Sequence, residues 1–209
     1  MIKGVVFDLD GTLIDTASIL SEAWVEALSS EGVKVEYDDI HKNTRGMASR
    51  DIVKRYLPGS SDEDVPRMNE KRKKAFMASI EIGKRILYPE TMDVLAKLDS
   101  KGIKSAIGTG MSRDLLGKVL DTTRLSEKVK VVVSSDDVAN GKPSPDIFEE
   151  AFKRLKVDAK EGMVVGDSVN DILPGIKIGA FTVFISRNGE KLDIADKNIN
   201  SLEEIFKFI

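Results

Sequence analysis

The chain has 209 residues, 41% of them hydrophobic, enough for a full core built as one domain or as one domain with a smaller insert. Lys and Arg number 32 against 35 Asp and Glu, and this net −3 argues against a general nucleic-acid binder and for a small-molecule partner. With no cysteine, disulfides, zinc–thiolate sites and thiol catalysis are excluded, and a single histidine, His41, disfavours a Ser-His-Asp mechanism or a multi-histidine metal site.

The first stretch, Ile2 to Thr12, carries the most information. Ile2, Val5, Val6 and Phe7 form an apolar, β-branched run that suits a strand buried on both faces of a sheet. It ends in Asp8, one spacer, Asp10, then Gly11 and Thr12. Residues two apart on an extended strand project to the same side, so both carboxylates leave the strand end together. Gly11 allows a sharp turn there. Two carboxylates this close repel unless a proton or a cation sits between them, and a hard divalent ion such as Mg²⁺ takes oxygen ligands. Alone, the same residues also describe an ordinary DG turn with acidic side chains in solvent.

Asp15 and Thr16 are the caps expected for a helix reaching about Ser30, with Leu20, Trp24, Ala27 and Leu28 as its buried stripe. Shorter helices are expected over 38–42 and 48–57, separated by Thr44-Arg45-Gly46 and stopped by Pro58-Gly59. A longer one is expected over 62–82. No strand signal occurs between Leu13 and Leu87, so 16–87 reads as an all-helical block.

From Tyr88-Pro89 onward the pattern alternates. Helices are expected over 91–100, 112–121, 145–156 and about 172–178, and strands over 103–108, 129–133, 163–165 and 182–185. A small amphipathic helix over 201–208 closes the chain. This βαβα order implies an α/β fold with a Rossmann-like parallel sheet and helices on both faces. The first strand joins that sheet, so 1–15 and 88–209 form the core domain and 16–87 is an inserted cap domain. Ligands of open α/β sheets sit outside the carboxyl ends of the strands, which an insert leaving from one such end is placed to cover.

Those strand ends carry further candidates. Gly108-Thr109-Gly110 offers a hydroxyl and backbone N–H groups before a helix N-terminus, a grip for an oxyanion; a Thr satisfied within its own turn is the alternative. Lys142, between Gly141 and Pro143, can neutralise a carboxylate and a phosphate, though most lysines are simply solvated. Gly166-Asp167-Ser168-Val169-Asn170-Asp171 places Asp167 at a strand end, where it can complete a cation site, and Asp171 four residues on, where it can orient Lys142. Each is weak singly; together they converge on one pocket.

These four motifs, DLDGT at 8–12, the strand ending in Thr109, Lys142 in GKPSP and GDSVND at 166–171, resemble those of the haloacid dehalogenase-like hydrolase superfamily, and the helical insert resembles its small helical cap. The resemblance spans the chain and implies covalent phosphoryl transfer. Asp8 is then the nucleophile that becomes an aspartyl-phosphate, and Asp10 the acid and base. It also implies Mg²⁺ held by the Asp8 carboxylate, the Asp10 backbone carbonyl and Asp167. The phosphate-binding groups it implies are Thr109, Gly110 and Lys142, with Asp171 positioning the lysine.

Members of that family that cleave carbon–halogen bonds typically lack an Asp at the position of Asp10, so the resemblance implies phosphate rather than halide chemistry. Phosphoglucomutase-like members share all four motifs but commonly carry His in the first cap helix, where this chain has Leu20. The expectation is therefore a Mg²⁺-dependent phosphatase of a small phosphorylated metabolite such as phosphoglycolate. A hexose-phosphate mutase and a catalytically idle binding module are the alternatives. Two departures stand out: Gly110 replaces a common Asn or Ser, and Pro174-Gly175 suggests a last core helix that starts late.

In the cap, Arg45 of Thr44-Arg45-Gly46-Met47 is a candidate contact to a substrate carboxylate or second phosphate. Lys71-Arg72-Lys73-Lys74 reads as a solvated helix face, and His41 as a plain surface residue. No apolar run approaches about 18 residues and no signal-peptide pattern precedes the first strand, so a soluble, cytoplasmic protein is expected, a monomer or small homo-oligomer with no membrane or nucleic-acid partner.

Overall fold

The structure, a computed structural model, describes residues 1–44, 47, 49–81 and 86–209, the side chains at 80, 81 and 114 excepted. The described chain divides into two compact units, Met1–Ile14 with Leu87–Ile209, and Asp15–Ile86.

The first unit is built on six parallel strands, β1 (Gly4–Phe7), β2 (Lys104–Gly108), β3 (Val131–Val133), β4 (Gly162–Gly166), β5 (Phe181–Ile185) and β6 (Lys197–Ile199), in the order β3-β2-β1-β4-β5-β6. β1 lies between β2 and β4, with Val6 opposite Ala106 on one side and Val164 on the other. All four of its residues are buried, as a strand covered on both faces requires. On one face Val6, Ala106, Val133 and Val164 pack against Ile147, Phe148, Ala151 and Phe152 of the helix Asp146–Leu155. Alternate residues Val5 and Phe7, wholly buried, serve the other face. The strand order reverses about β1, so the carboxyl ends of β1, β2 and β4 border the position where an open sheet binds its ligand.

Thr91–Ser100 and Arg113–Thr123 form helices as their spacing predicts. Three elements differ from expectation. The helix after β4 runs Val169–Lys177 and keeps Pro174 inside it, rather than starting late. Its start is set by a capping box, in which Ser168 and Asp171 satisfy each other's backbone, and this outweighs the donor that proline lacks. The C-terminal segment is a 3₁₀ helix, Leu202–Lys207, and its buried Leu202 and Ile205 have the i,i+3 spacing that eclipses in that geometry. The edge strand β6 carries no apolar alternation, since Lys197 and Asn198 are exposed, and went unforeseen.

The second unit contains the helices Thr16–Ser29, Tyr37–Asn43, Ser49–Tyr56 and Asp64–Glu81. The Asp15 carboxylate caps the first by accepting from the Ser18 N–H at 3.1 Å and the Ser18 hydroxyl at 2.8 Å. Trp24, Leu28, Ile40, Val53 and Met68 form a core of its own. The predicted terminus at Ile82 lies outside the described residues.

Candidate functional site

The Asp8 N–H donates to the Val165 carbonyl at 2.8 Å, extending the β1–β4 ladder one residue past the strand and leaving the Asp8 side chain at its carboxyl end. The chain then folds back tightly: the Gly11 N–H donates to Ile14 at 2.8 Å and the Leu13 N–H to Leu9 at 2.9 Å. Gly11 is indispensable to this turn for two reasons. Its φ of +78° lies in the left-handed region, and a Cβ there would run into the Asp167 carboxylate. Asp167 itself comes off the end of β4. One oxygen each from Asp8, Asp167 and Asp171 lie within 4.8 Å of one another.

Lys142, in the loop after β3 and preceding a cis peptide to Pro143, joins two of these carboxylates. Its ammonium donates to Asp8 Oδ1 at 2.5 Å and to Asp171 Oδ1 at 2.6 Å, and lies 4.8 Å from the centre of the Phe148 ring. The lysine side chain is 10% exposed and Asp171 2%, so this is a buried ion triad and not a solvated lysine. Asp171 is fully engaged, because its other oxygen accepts the Ser168 N–H at 3.1 Å and hydroxyl at 2.7 Å. A Cβ on Gly166 would collide with Asp171, so the glycine ending β4 is what lets that carboxylate approach.

Burial pushes the Asp8 carboxyl well above the ordinary carboxylate range; Lys142 pulls it down, while Asp171 and Asp10 push it up. Burial alone would lower the Lys142 ammonium, but Asp8 and Asp171 hold it above the ordinary lysine value. Lys142 therefore remains charged. With both oxygens of Asp171 engaged, Asp8 and Asp167 form the carboxylate pair whose hard oxygen donors suit a divalent ion such as Mg²⁺.

Thr109 is wholly buried at the end of β2, and its hydroxyl accepts the Met111 N–H at 3.0 Å. The hydroxyl proton is not committed by that bond and remains available to an oxyanion. Gly110 is exposed, with nothing within 4 Å of where a Cβ would stand. The first unit thus assembles Asp8, Asp10, Thr109, Gly110, Lys142, Asp167 and Asp171 at neighbouring strand ends and loops. Arg45 lies outside the described residues.

The second unit holds a cavity of about 210 Å³ that sequence reasoning missed, lined among others by Ser21, Trp24, His41, Thr44 and Arg72. His41 is not a plain surface residue: it is half-buried, stacked on Tyr37, with Nδ1 3.0 Å from Ser21 Oγ. Arg72 departs from the solvated face expected of 71–74. Its guanidinium lies over the Trp24 ring at 5.6 Å, and its buried Nε has no hydrogen-bond partner among the described residues. Burial lowers its pKa. The signal was available, since Arg72 falls between Met68 and Phe76 at helical spacing, on the buried stripe of its helix.

A family model described as haloacid dehalogenase-like hydrolase matches residues 2–179. Over 176 residues the chain is 29% identical to a phosphoglycolate phosphatase of Yersinia pestis, covering 82% of this chain and 75% of that protein. It is 32% identical over 209 residues to a bifunctional riboflavin kinase/FMN phosphatase of Arabidopsis thaliana, covering 96% of this chain and 54% of that longer protein. Among solved structures, a β-phosphoglucomutase from Clostridium difficile superposes with a TM-score of 0.73 at 24% identity, over 100% of this chain and 95% of that one, a likeness of fold.

Proposed function

The chain belongs to the haloacid dehalogenase-like hydrolase family, and from that premise we propose that it is a Mg²⁺-dependent phosphatase of a small-molecule phosphomonoester, working through an aspartyl-phosphate. The observation that carries this reading is the buried Lys142 ammonium, shared between Asp8 and Asp171 at the strand ends. Its charge pulls the Asp8 carboxyl down against the burial that raises it, which favours the ionised form a nucleophile requires.

Asp8 attacks phosphorus, and the bond to the leaving oxygen breaks as Asp10 donates its proton to that oxygen. Water then attacks the phosphoryl group with its proton passing to Asp10, which releases phosphate and restores Asp8. The Thr109 hydroxyl, the Gly110 N–H and Lys142 hold the phosphoryl oxygens, and Asp171 keeps Lys142 aimed at them. Mg²⁺, held by Asp8, Asp167 and the Asp10 carbonyl, supplies charge neutralisation for the phosphoryl oxygens.

The substrate is a small phosphorylated metabolite. Phosphoglycolate is the first candidate, because a phosphoglycolate phosphatase of Yersinia pestis is 29% identical over 82% of this chain. The enzyme acts in the cytoplasm. Among the described residues, no helix is long and apolar enough to cross a membrane.

The test is phosphate release from a panel of phosphomonoesters, with Mg²⁺ and with chelator, by wild type and Asp8→Asn. Mg²⁺-dependent release that disappears in the variant is expected. A variant as active as wild type would remove Asp8 from the chemistry. Conversion of a hexose phosphate without phosphate release would establish the mutase in its place.

A further inference from the structure

Arg187 stands two residues beyond β5, and its guanidinium makes three contacts at once. Nη1 donates to Glu90 Oε1 at 2.7 Å and Nη2 donates to the Thr12 carbonyl at 3.1 Å, while Cζ lies 3.3 Å from the centre of the Tyr88 ring. The side chain is only 26% exposed and that of Glu90 13%. Burial raises the Glu90 carboxyl, yet the Arg187 bond leaves it below the ordinary value, so the pair is ionised.

Thr12 belongs to the short return that carries Asp10. Asp10 bridges to Ile14, and Ile14 bridges to Leu87, where the chain re-enters the α/β unit. The Tyr88 N–H and the Thr91 hydroxyl both donate to the Leu13 carbonyl, at 3.2 and 2.8 Å. The Thr12 side chain adds no hydrogen bond to this return among the described residues, since its buried Oγ1 has no partner there. The planar fork of Arg187 therefore grips the Asp10 return by its carbonyl and the re-entering chain by Tyr88 and Glu90. A point-charge lysine cannot reproduce both bonds and the stacking.

We propose that Arg187 is a positioning residue for Asp10: it fixes, through the Thr12 carbonyl and the Tyr88–Glu90 segment, the backbone from which Asp10 reaches the leaving oxygen. The inference rests on the proposed phosphatase chemistry and extends it to a residue outside the four motifs.

A purely structural strap and a positioning residue differ in one readout. The ratio kcat/KM covers the steps through departure of the leaving group, and a poor alkoxide leaving group needs the Asp10 proton, whereas p-nitrophenolate needs little protonation. The experiment measures kcat/KM for phosphoglycolate and for p-nitrophenyl phosphate in wild type, Arg187→Met, Arg187→Lys and Asp10→Asn. Urea unfolding provides a check that each variant is folded. Arg187→Met should lose about tenfold on the alkyl ester and less than about threefold on the aryl ester, a smaller version of the Asp10→Asn selectivity, as expected for displacement of a catalytic group. Arg187→Lys should recover part of the alkyl loss.

Equal losses on both esters in the folded variants, or no loss on either, would overturn the assignment. The phosphatase reading fails separately, by the absence of wild-type release or by full activity of Asp8→Asn.

Discussion

Replacing Lys142 with Met removes the ammonium while keeping the length of its apolar stem. In the wild type that ammonium bonds Asp8 Oδ1 at 2.5 Å and Asp171 Oδ1 at 2.6 Å, with all three side chains at most 10% exposed. Bonds to charged groups contribute about 1.5–3 kcal/mol each, and removing one partner of a buried ion pair costs about 3–5 kcal/mol because the other charge is left uncompensated. Two carboxylates are stranded here, but Asp8 can relieve part of the strain by taking up a proton. The loss of unfolding free energy should therefore be about 3–4 kcal/mol at pH 8.

The pH dependence has a definite sign. Asp8 already has a raised carboxyl, and loss of the lysine raises it further. A group with a raised folded value contributes stability at low pH that is lost as pH rises through that value. The deficit of Lys142→Met should accordingly shrink on going from pH 8 to pH 5. Urea unfolding in chelator at the two pH values measures both quantities, and phosphate release should fall at least about a hundredfold with Mg²⁺ present. A deficit below about 1 kcal/mol, or one independent of pH, would refute the buried-triad account.

Gly11→Ala combines a left-handed backbone, about 1–2 kcal/mol for a residue with a Cβ, with a collision against the Asp167 carboxylate. It should weaken Mg²⁺ binding, read by calorimetry, together with phosphatase activity, and unaltered Mg²⁺ affinity would separate Asp167 from the metal site. Arg72→Met should leave stability unchanged or raise it, because it removes a half-buried guanidinium whose Nε has no hydrogen-bond partner among the described residues. A loss above about 2 kcal/mol in urea unfolding would show that the stacking of Arg72 on Trp24 outweighs that desolvation.

The strand-end motifs were legible in the sequence because their logic is local. An apolar run ending in Asp8-x-Asp10-Gly11 marks a strand and its end without reference to anything distant. The same holds for Gly166 and Asp167 at the end of β4 and for the alternation that implies a parallel sheet. The periodicity that frames Asp146–Leu155 and Thr91–Ser100 is equally local.

Where local signals were weak or competed, they misled. β6 is three residues at a sheet edge with two polar side chains, so it has no period to detect. Pro174 suggested a late helix start, but the Ser168–Asp171 box decided where the helix begins. The charged run 71–74 concealed Arg72, since composition masked the position of that one residue on the buried stripe of its helix.

Other features belong to tertiary structure alone. Lys142 lies 134 residues from Asp8 and 29 from Asp171, and only the parallel order with β1 between β2 and β4 brings them to one point. Arg187, 175 residues from Thr12, has no motif around it; its stacking on Tyr88 and its bond to the Thr12 carbonyl follow from β5 ending beside the return after β1. The sequence determines which groups stand at strand ends, because strand and turn preferences act over a few residues. The fold decides which of those groups are buried together, because burial, ion pairing and the resulting pKa shifts depend on distances that only the packed chain sets.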